Sequence, residues 1–334
     1  MILARLPFDA FEVHETIGTG TVGTIFRAVH RDSGRTYALK LLSPAVSNDR
    51  LIVSRFEREM MILGKLDHPN IVGYFGRGRH EGQLFYAMEF IQGGTLKQLL
   101  ARDKKLPWLE AAECGRQIAA ALQHAHNHGI IHRDLKPGNI FVNDQGQLKL
   151  GDFGIARDLH AADITDAGLT VGTYTYMAPE LVRGERSITG QVDLYALGCV
   201  LFEIATGRPP FLGDNFAQIF DQHLNAPTPT LQEHGVRCPQ EFDELIRTLL
   251  AKQPDDRPFN ARTVQGQLGE MVSHQQADIH KKADRAAISV NGQELLRRRF
   301  ATNYNPMHVS WTRLLIAGAS IALVVGVLAY FARQ

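Results

Sequence analysis

The sequence predicts an α+β protein of two lobes, a small β-rich N-lobe followed by a larger helical C-lobe. Residues 8–91 hold short runs of β-branched and aromatic residues separated by glycines, a pattern typical of strands. Residues 92–272 hold longer stretches in which apolar residues recur at helical spacing. Residues 314–331 are apolar throughout and predict one more helix. The 334-residue chain is long enough to bury a sizeable core.

The composition is that of an ordinary globular protein and excludes several classes. It is 44% hydrophobic and 21% charged, and its formal net charge of +1 argues against a nucleic-acid-binding protein. Its three cysteines, Cys114, Cys199 and Cys238, form no C-x-x-C pair. Neither a disulfide framework nor a zinc ribbon is therefore expected, which fits a reducing cytosol.

The predicted N-lobe strands are FEVHETIG, GTIFRAVH and TYALKLL, and one helix at residues 50–66 interrupts them before the stop signal His68-Pro69. The first long C-lobe helix opens with Pro107 and closes on Gly129, a good helix end. Further helices are predicted at 191–206, 216–224, 240–251 and 261–272. The short bursts IIHRDL, NIFVN and LKLGDFG predict strands and loops, and MEFIQGGTL is the expected hinge between the lobes.

A glycine-rich segment, IGTGTVGTI, places Gly18, Gly20 and Gly23 between two predicted strands. Glycines let a backbone approach phosphate closely and offer it N–H groups, but this spacing alone is weak evidence of a nucleotide site. Its weight comes from the motifs that follow in order: Lys40 in YALK, then HRDLKPGNI, GDFG, GTYTYMAPE, DLYALG and PDDRP.

With this set in this order, residues 8–272 resemble the protein kinase superfamily, and within it the serine/threonine kinases of bacterial membrane-anchored type. The resemblance implies a two-lobed kinase fold with an N-lobe at 8–91 and a C-lobe at 92–272. It also implies phosphoryl transfer from ATP to protein hydroxyls, a reaction in which the enzyme mainly positions groups and neutralises oxygens.

The resemblance implies a role for each motif residue. The glycines would cover the ATP phosphates, and Lys40 would hold the α- and β-phosphates. An acid on the N-lobe helix would fix Lys40; Glu57 and Glu59 both compete, and the family pattern RFxRE favours Glu59. The implied ATP-binding residues are Ile17, Gly18, Gly20, Gly23, Ile25, Ala38, Lys40, Glu59, Met88, Glu89, Ile91 and Phe141.

The catalytic residues implied are Lys40, Asp134, Lys136 and Asn139. Asp134 would accept or orient the proton of the substrate hydroxyl, and Lys136 would steady the transferring phosphoryl group. Asn139 and Asp152 would bind Mg²⁺, with Mn²⁺ as an alternative, because both cations take oxygen ligands. Since none of these positions is missing, a membrane-tethered pseudokinase is disfavoured. A small-molecule kinase is disfavoured by GTYTYMAPE, which the family uses to receive a peptide.

The segment between GDFG and APE is predicted to be regulatory, and Thr165 and Thr170 within it are candidate phosphorylation sites. A phosphate there would pair with Arg133 and order the loop. The remaining residues are assigned structural roles: Thr173 beside the catalytic residues, Asp193 in the DLYALG helix, and Glu180 paired with Arg257. The HAHNH segment invites a metal site, but at this spacing only His124 and His128 share a helix face.

Residues 273–313 are predicted to be a basic juxtamembrane linker whose arginines, Arg297 to Arg299, either contact anionic lipid or are simply solvated. Residues 314–331 are eighteen uncharged residues, about 27 Å of helix, and predict a transmembrane helix between Trp311 and Tyr330. More arginines precede it than follow it, so the kinase is expected on the cytoplasmic side of the inner membrane.

The predicted membrane helix carries a row of small residues, Gly318, Ala322 and Gly326, that predicts a homodimer contact, although small residues are also common in such helices. A dimer would bring two kinase domains together for mutual phosphorylation. Only the tail 332–334 follows, too short for a sensor domain. Either the signal comes from the cytoplasmic or membrane side, or the chain is a fragment; an anchor without a sensor is the favoured expectation.

Overall fold

The computed structural model describes residues 4–20, 22–153, 171–282 and 292–301. Its N-lobe is a six-stranded sheet in the order β1-β5-β6-β4-β3-β2. The strands are Ala4–Arg5 (β1), Phe11–Gly20 (β2), Gly23–His30 (β3), Thr36–Leu42 (β4), Tyr74–His80 (β5) and Gln83–Glu89 (β6). All neighbours are antiparallel except β1 and β5. The three strands that the sequence predicts are confirmed as β2, β3 and β4.

The two faces of the sheet are covered differently: one carries a small cluster of the sheet's own apolar side chains, and the other packs against helices. Phe11, Ala28, Leu39, Phe85 and Ala87 form a small apolar cluster on one side. On the other side pack α1, Pro44–Asn48, and α2, Arg50–Leu63, which is three residues shorter than predicted. Among the side chains of α2 that the structure describes, Phe56, Met60 and Leu63 are buried, and their spacing of four and three places them on one helix face.

The edge strand β1 does not follow from the sequence pattern, because it is only two residues long. It lies against β5, where two glycines leave room for it. A Cβ at Gly76 would lie 2.3 Å from Leu6 Cδ1, and one at Gly78 would lie 2.2 Å from Leu6 O. Any side chain at either position would therefore displace the N-terminal segment.

The C-lobe is helical, as predicted. Its helices are Leu96–Asp103 (α3), Trp108–Asn127 (α4), Pro179–Val182 (α5), Gln191–Thr206 (α6), Phe216–Asn225 (α7), Gln240–Leu249 (α8), Ala261–Lys282 (α9) and Gly292–Ala301 (α10). A two-stranded hairpin, Ile140–Val142 (β7) and Leu148–Leu150 (β8), lies on the side of the lobe that faces the sheet. Most residues of α6 are buried, so this helix forms the centre of the lobe, between α4 and α8.

Part of the segment expected to be a linker is structured. Helix α9 continues ten residues past the predicted end at residue 272, and α10 packs against α4. Within the four described ranges, none of the helices combines the length and apolar character needed to cross a bilayer. The predicted transmembrane helix at 314–331, with its row of small residues, lies outside the described residues.

Candidate active site

The glycine-rich segment forms the turn end of the β2–β3 hairpin, where Gly18 pairs with Ile25 and Gly20 with Gly23. The three glycines differ in what surrounds them. A Cβ at Gly23 would lie 2.1 Å from Leu41 O, so this glycine is required by the protein itself. A Cβ at Gly20 would meet no described atom within 4 Å, and one at Gly18 would meet only Ile25, at 3.6 Å. The backbone at Gly18 and Gly20 is therefore open to a ligand.

Lys40 and Asp152 form an ion pair that joins the two lobes. Lys40 Nζ, on β4, donates to Asp152 Oδ1 at 2.7 Å. Burial would raise the pKa of the Asp152 carboxyl, but the Lys40 ammonium outweighs burial and lowers that pKa. For Lys40, burial would lower the pKa, but Asp152 outweighs it and raises the pKa. Both groups are therefore held in their charged forms.

The two candidate acids of α2 lie in different surroundings. Glu57 is exposed and Glu59 is half-buried, so Glu59 is the acid on the inward side, as the sequence predicts. The carboxylate that the structure places against Lys40 Nζ is that of Asp152, at 2.7 Å. The pairing of Lys40 with Glu59 stays a prediction.

The HRDLKPGN motif brings its polar side chains together around one carboxylate. Lys136 Nζ lies 2.8 Å from Asp134 Oδ2. Asn139 Nδ2 donates to the same oxygen at 3.0 Å and to Asp134 O at 2.8 Å. Because Nδ2 makes both contacts, the amide oxygen of Asn139 is left out of them. The structure thus places two of the predicted catalytic residues, Lys136 and Asn139, in contact with a third, Asp134.

Asp193, on α6, holds the backbone of this catalytic segment. Its two carboxylate oxygens accept from the backbone N–H groups of His132 and Arg133, both at 2.8 Å. The side chain of Asp193 is almost fully buried, and His126 Nε2 lies 2.8 Å from the oxygen that accepts from His132. Arg133 has a φ of 62°, which costs a non-glycine residue about 1–3 kcal/mol. The hydrogen bonds that the backbone N–H groups donate to the charged Asp193 carboxylate offset this strain.

Apolar side chains line the space between the glycine-rich hairpin and β7. Ala38 on β4 faces Met88 on β6, and both are buried. Phe141 on β7 lies on the C-lobe side, where Gly151 makes room for it: a Cβ at Gly151 would lie 2.8 Å from Phe141 Cε2. Ile17 is 44% exposed, which is unusual for a large apolar side chain and fits contact with a flat apolar ligand.

The hinge carries an ion pair that sequence reasoning missed. Glu89 Oε2, at the end of β6, accepts from Lys149 Nζ of β8 at 2.9 Å and from Gly73 N at 3.1 Å. The carboxylate of Glu89 thus bridges the lobes, while Ile91 next to it is half-buried. No local sequence signal indicated this pair, since sixty residues separate its members.

Glu180 and Arg257 form the structural ion pair that the sequence predicts. Arg257 Nη1 and Nη2 donate to the two carboxylate oxygens of Glu180 at 2.6 and 2.8 Å. Both side chains are almost fully buried, and the guanidinium also lies over the ring of Tyr195 at 4.9 Å. The prediction of this pair is confirmed.

Three threonines of the sequence analysis cannot be placed in the site. Thr165 and Thr170 lie outside the described residues. Thr173 belongs to a 3-10 helix, Val171–Tyr176, whose backbone is described, but its side chain is outside the description. The histidines of HAHNH are described: His126 contacts Asp193, and His128 Nδ1 lies 2.8 Å from His124 O. No group of residues in the described ranges could hold a metal ion by clustered histidines, cysteines or carboxylates alone.

The residues nevertheless fit an adenine nucleotide with a divalent cation bound to its phosphates. The open backbone at Gly18 and Gly20 suits phosphate, and Lys40 lies deep in the cleft with its charge held. Asp152 and the amide oxygen of Asn139 are the hard oxygen ligands that Mg²⁺ prefers. A nucleotide cation site needs only one or two protein ligands, because phosphate oxygens and water complete the shell. The fit therefore depends on the phosphates being present.

Comparison with known proteins agrees with the geometry. The family model for the protein kinase domain matches residues 11–268. The probable serine/threonine-protein kinase PknB of Lactococcus lactis is 36% identical over 256 residues, covering 76% of this chain and 41% of that protein. Serine/threonine-protein kinase PrkC of Bacillus subtilis is 34% identical over 268 residues, covering 80% and 41%. PknD of Mycobacterium tuberculosis is 36% identical over 286 residues, covering 84% and 43%.

A solved structure shows the same fold. The crystal structure of Rad53 1-466 in complex with AMP-PNP aligns with a TM-score of 0.66 at 30% identity, covering 78% of this chain and 65% of that one. The chain spans about two fifths of the length of the curated relatives above. The two-lobed fold, the cleft and the matched domain lead to one conclusion. The chain belongs to the protein kinase family.

Proposed function

We propose that this protein is a serine/threonine protein kinase that transfers the γ-phosphate of ATP to hydroxyl groups of protein substrates. The observation that carries the proposal is the contact of Lys136 and Asn139 with one carboxylate oxygen of Asp134. The relatives from Lactococcus lactis, Bacillus subtilis and Mycobacterium tuberculosis are named as serine/threonine kinases, and the Rad53 structure holds an adenine nucleotide.

The roles of the residues follow from their contacts. Both described contacts to the Asp134 carboxylate use Oδ2, so Oδ1 is the atom placed to accept a proton from a substrate hydroxyl. Lys136 stands at the same carboxylate, where its ammonium would neutralise charge on the transferring phosphoryl oxygens. Asn139 and Asp152 would hold Mg²⁺, which would offset the negative charge of the phosphates. Lys40 would then bind the phosphates from the opposite lobe.

Purified protein incubated with ATP, Mg²⁺ and a generic protein substrate would test this proposal. Asp134→Asn should lower phosphate transfer by about 10²–10⁴-fold because it removes the proton acceptor. Phosphoamino-acid analysis should find phosphoserine or phosphothreonine. Transfer no higher in the wild type than in Asp134→Asn would favour a pseudokinase. Transfer only to a small molecule would favour a small-molecule kinase.

We also propose that residues 314–331 anchor the kinase in the inner membrane with its catalytic domain in the cytoplasm. The support is the length of the uncharged run, its flanking Trp311 and Tyr330, and the arginines that precede it. Flotation of the full chain with neutral lipid vesicles would test the anchor, against a variant with Leu323→Arg and Val325→Arg in the run. Equal flotation of both proteins would contradict the proposal.

Dimerisation through Gly318, Ala322 and Gly326 and phosphorylation of Thr165 and Thr170 complete the proposed regulation. Small residues at this spacing let two membrane helices approach closely, and a phosphorylated loop could pair with Arg133. Crosslinking in membranes should fall when Gly318 and Gly326 are changed to isoleucine. Mass spectrometry of the active protein should find phosphate on at least one of the two threonines.

A further inference from the structure

Helix α10 lies in a groove on the C-lobe that we call the α10 groove. Its walls are the end of α3 at Asp103, the start of α4 at Glu110 and Glu113, and the turn of residues 143–147 between β7 and β8. Leu296, in the middle of α10, is fully buried against the main core of the protein. A residue that follows the matched kinase domain by almost thirty positions is thus part of its core.

One arginine of the basic triplet anchors the helix. Arg299 Nε and Nη2 donate to the two carboxylate oxygens of Glu110 at 2.5 and 2.9 Å, and Nη1 donates to Asp103 Oδ2 at 3.0 Å. This forked arrangement is the strong form of an arginine–carboxylate contact. Arg297 and Arg298, by contrast, have exposed side chains and pair with Glu294 on the same helix. The triplet is therefore divided between a docking residue and two solvent-facing ones.

The α10 backbone also touches the β7–β8 turn directly. Gly146, at the tip of the turn, has a φ of 71° and no space for a side chain. A Cβ there would lie 2.3 Å from Arg297 N and 2.6 Å from Gln293 O. Gln293 Nε2 donates to Gln145 O at 3.4 Å. Such close backbone contact requires that α10 and the turn keep a defined mutual position.

The same hairpin leads into the active site. Strand β7 begins immediately after Asn139, and β8 ends two residues before Asp152, with only three residues in each strand. Phe141 of β7 lies on the floor of the cleft. Gln117 of α4 supports the hairpin as well, since its Oε1 accepts from Leu148 N at 2.8 Å. Only three residues in each strand therefore separate the turn that α10 contacts from Asn139 at one end and from the segment leading to Asp152 at the other.

We propose that the α10 groove is a docking site through which the segment after the kinase domain controls the nucleotide site. When α10 is seated, it holds the β7–β8 hairpin and with it the cation ligands Asn139 and Asp152. When α10 leaves, the hairpin loses that support and ATP with Mg²⁺ binds more weakly. The occupant is this chain's own α10, and Arg299 acts as a positioning residue. This inference rests on the proposed kinase function.

The test uses the full chain in detergent and a matched pair of variants on one helix. Arg299→Gln removes the contacts to Glu110 and Asp103, whereas Arg297→Gln removes a contact within α10 only. Leu296→Asp displaces the helix by a different route, and Arg299→Lys keeps the charge without the fork. The readouts are hydrogen–deuterium exchange in residues 143–147, with α8 as an internal reference, and direct measurement of the Kd for ATP with Mg²⁺.

Arg299→Gln and Leu296→Asp should speed exchange in the turn, leave α8 unchanged, and raise the Kd about fivefold. Arg297→Gln should match the wild type, and Arg299→Lys should fall between. Unchanged exchange in both docking variants would overturn the docking. Faster exchange with an unchanged Kd would overturn the control of the nucleotide site. Because neither readout requires phosphate transfer, an inactive wild type would contradict the proposed function without affecting these outcomes.

Discussion

Lys40 of the N-lobe and Asp152 of the C-lobe form an ion pair that spans the cleft, with Nζ of the lysine 2.7 Å from Oδ1 of the carboxylate. The pair holds both groups charged in a largely buried position, where Lys40 would meet the phosphates of a nucleotide and Asp152 would meet its cation. The two lobes are therefore joined across the cleft by the same two charges that a nucleotide with Mg²⁺ would engage. Binding of a nucleotide with Mg²⁺ would replace the Lys40–Asp152 contact with a contact of Lys40 to phosphate and a contact of Asp152 to the cation.

Lys40→Met should abolish most phosphate transfer. The change removes a preorganised cation from the cleft and leaves the Asp152 carboxylate without its partner, so the pKa of Asp152 should rise. We expect transfer to fall by about 10²–10³-fold. The measurement is phosphate incorporation at saturating ATP, with Lys105→Met, an exposed lysine, as the control. A Lys40→Met protein as active as Lys105→Met would contradict the assignment.

Asp193→Asn should lower activity without removing a group from the cleft. Asp193 accepts from the backbone of His132 and Arg133 with two carboxylate oxygens, and an amide can replace only one of them. The strained φ of Arg133 then loses part of its support. We expect a loss of about 1.5–3 kcal/mol in the free energy of unfolding and a fall of kcat with little change in the KM for ATP. An unchanged kcat would show that the catalytic segment keeps its conformation without both hydrogen bonds to the Asp193 side chain.

Glu180→Gln should destabilise the C-lobe strongly. It leaves the buried Arg257 guanidinium without a countercharge, which costs about 3–5 kcal/mol. The matched control is Glu185→Gln, which breaks the exposed pair with Arg183 and should cost less than about 1 kcal/mol. Urea unfolding of both variants would measure the difference. Equal midpoints for the two variants would contradict the prediction.

Stability should fall with acid partly because of His223. Burial, and then the nearby charge of Lys252, lowers the pKa of His223 to about 3, below its ordinary value of 6.5. Between about pH 6.5 and pH 3, the unfolded chain therefore binds a proton at His223 that the folded chain does not bind. As a result, the folded state loses stability as the pH falls through about 6.5 towards 3. Urea unfolding at pH 7, 6 and 5 should show the effect.

The variant that tests this is His223→Gln. Its loss of free energy of unfolding on going from pH 6 to pH 5 should be smaller than that of the wild type by up to about 1.4 kcal/mol. The change also alters the contact with Tyr195, whose hydroxyl lies 2.8 Å from His223 Nδ1, so only the slope with pH is diagnostic. His14→Gln, at an exposed position, is the control for a histidine-to-glutamine change.

Local patterns predicted much of this protein. The strands around Gly18 and Gly23 follow from β-branched residues between glycines, and the bounds of α6 agree with the prediction because its apolar residues recur over the whole helix. The contact of Asp134 with Lys136 and Asn139 could also be expected, since these residues lie within six positions of one another. Glu180 and Arg257 were paired through the family resemblance and not through any local pattern.

Other relationships depend on chain segments that are distant in sequence and have no local signature. The Lys149–Glu89 bridge, the support of Arg133 by Asp193 and the fit of Leu6 over Gly76 belong to this group. So does the docking of α10, whose triplet of arginines predicted only a solvated or lipid-facing linker. A charged residue in a sequence indicates that an opposite charge or solvent must surround it, but the sequence does not identify which residue is the partner.

The sequence by itself therefore determined the order of the lobes, the residues of the cleft and the chemistry they suit. The order of the lobes follows from periodicity and glycine positions, whereas the residues of the cleft and their chemistry were implied by the resemblance to the kinase family. Only the tertiary structure decided that Lys40 meets Asp152 and that Arg299 meets Glu110. The physical reason is that such contacts form only when packing of the core brings separate segments within 3 Å, and the free energy that selects them is a property of the whole fold.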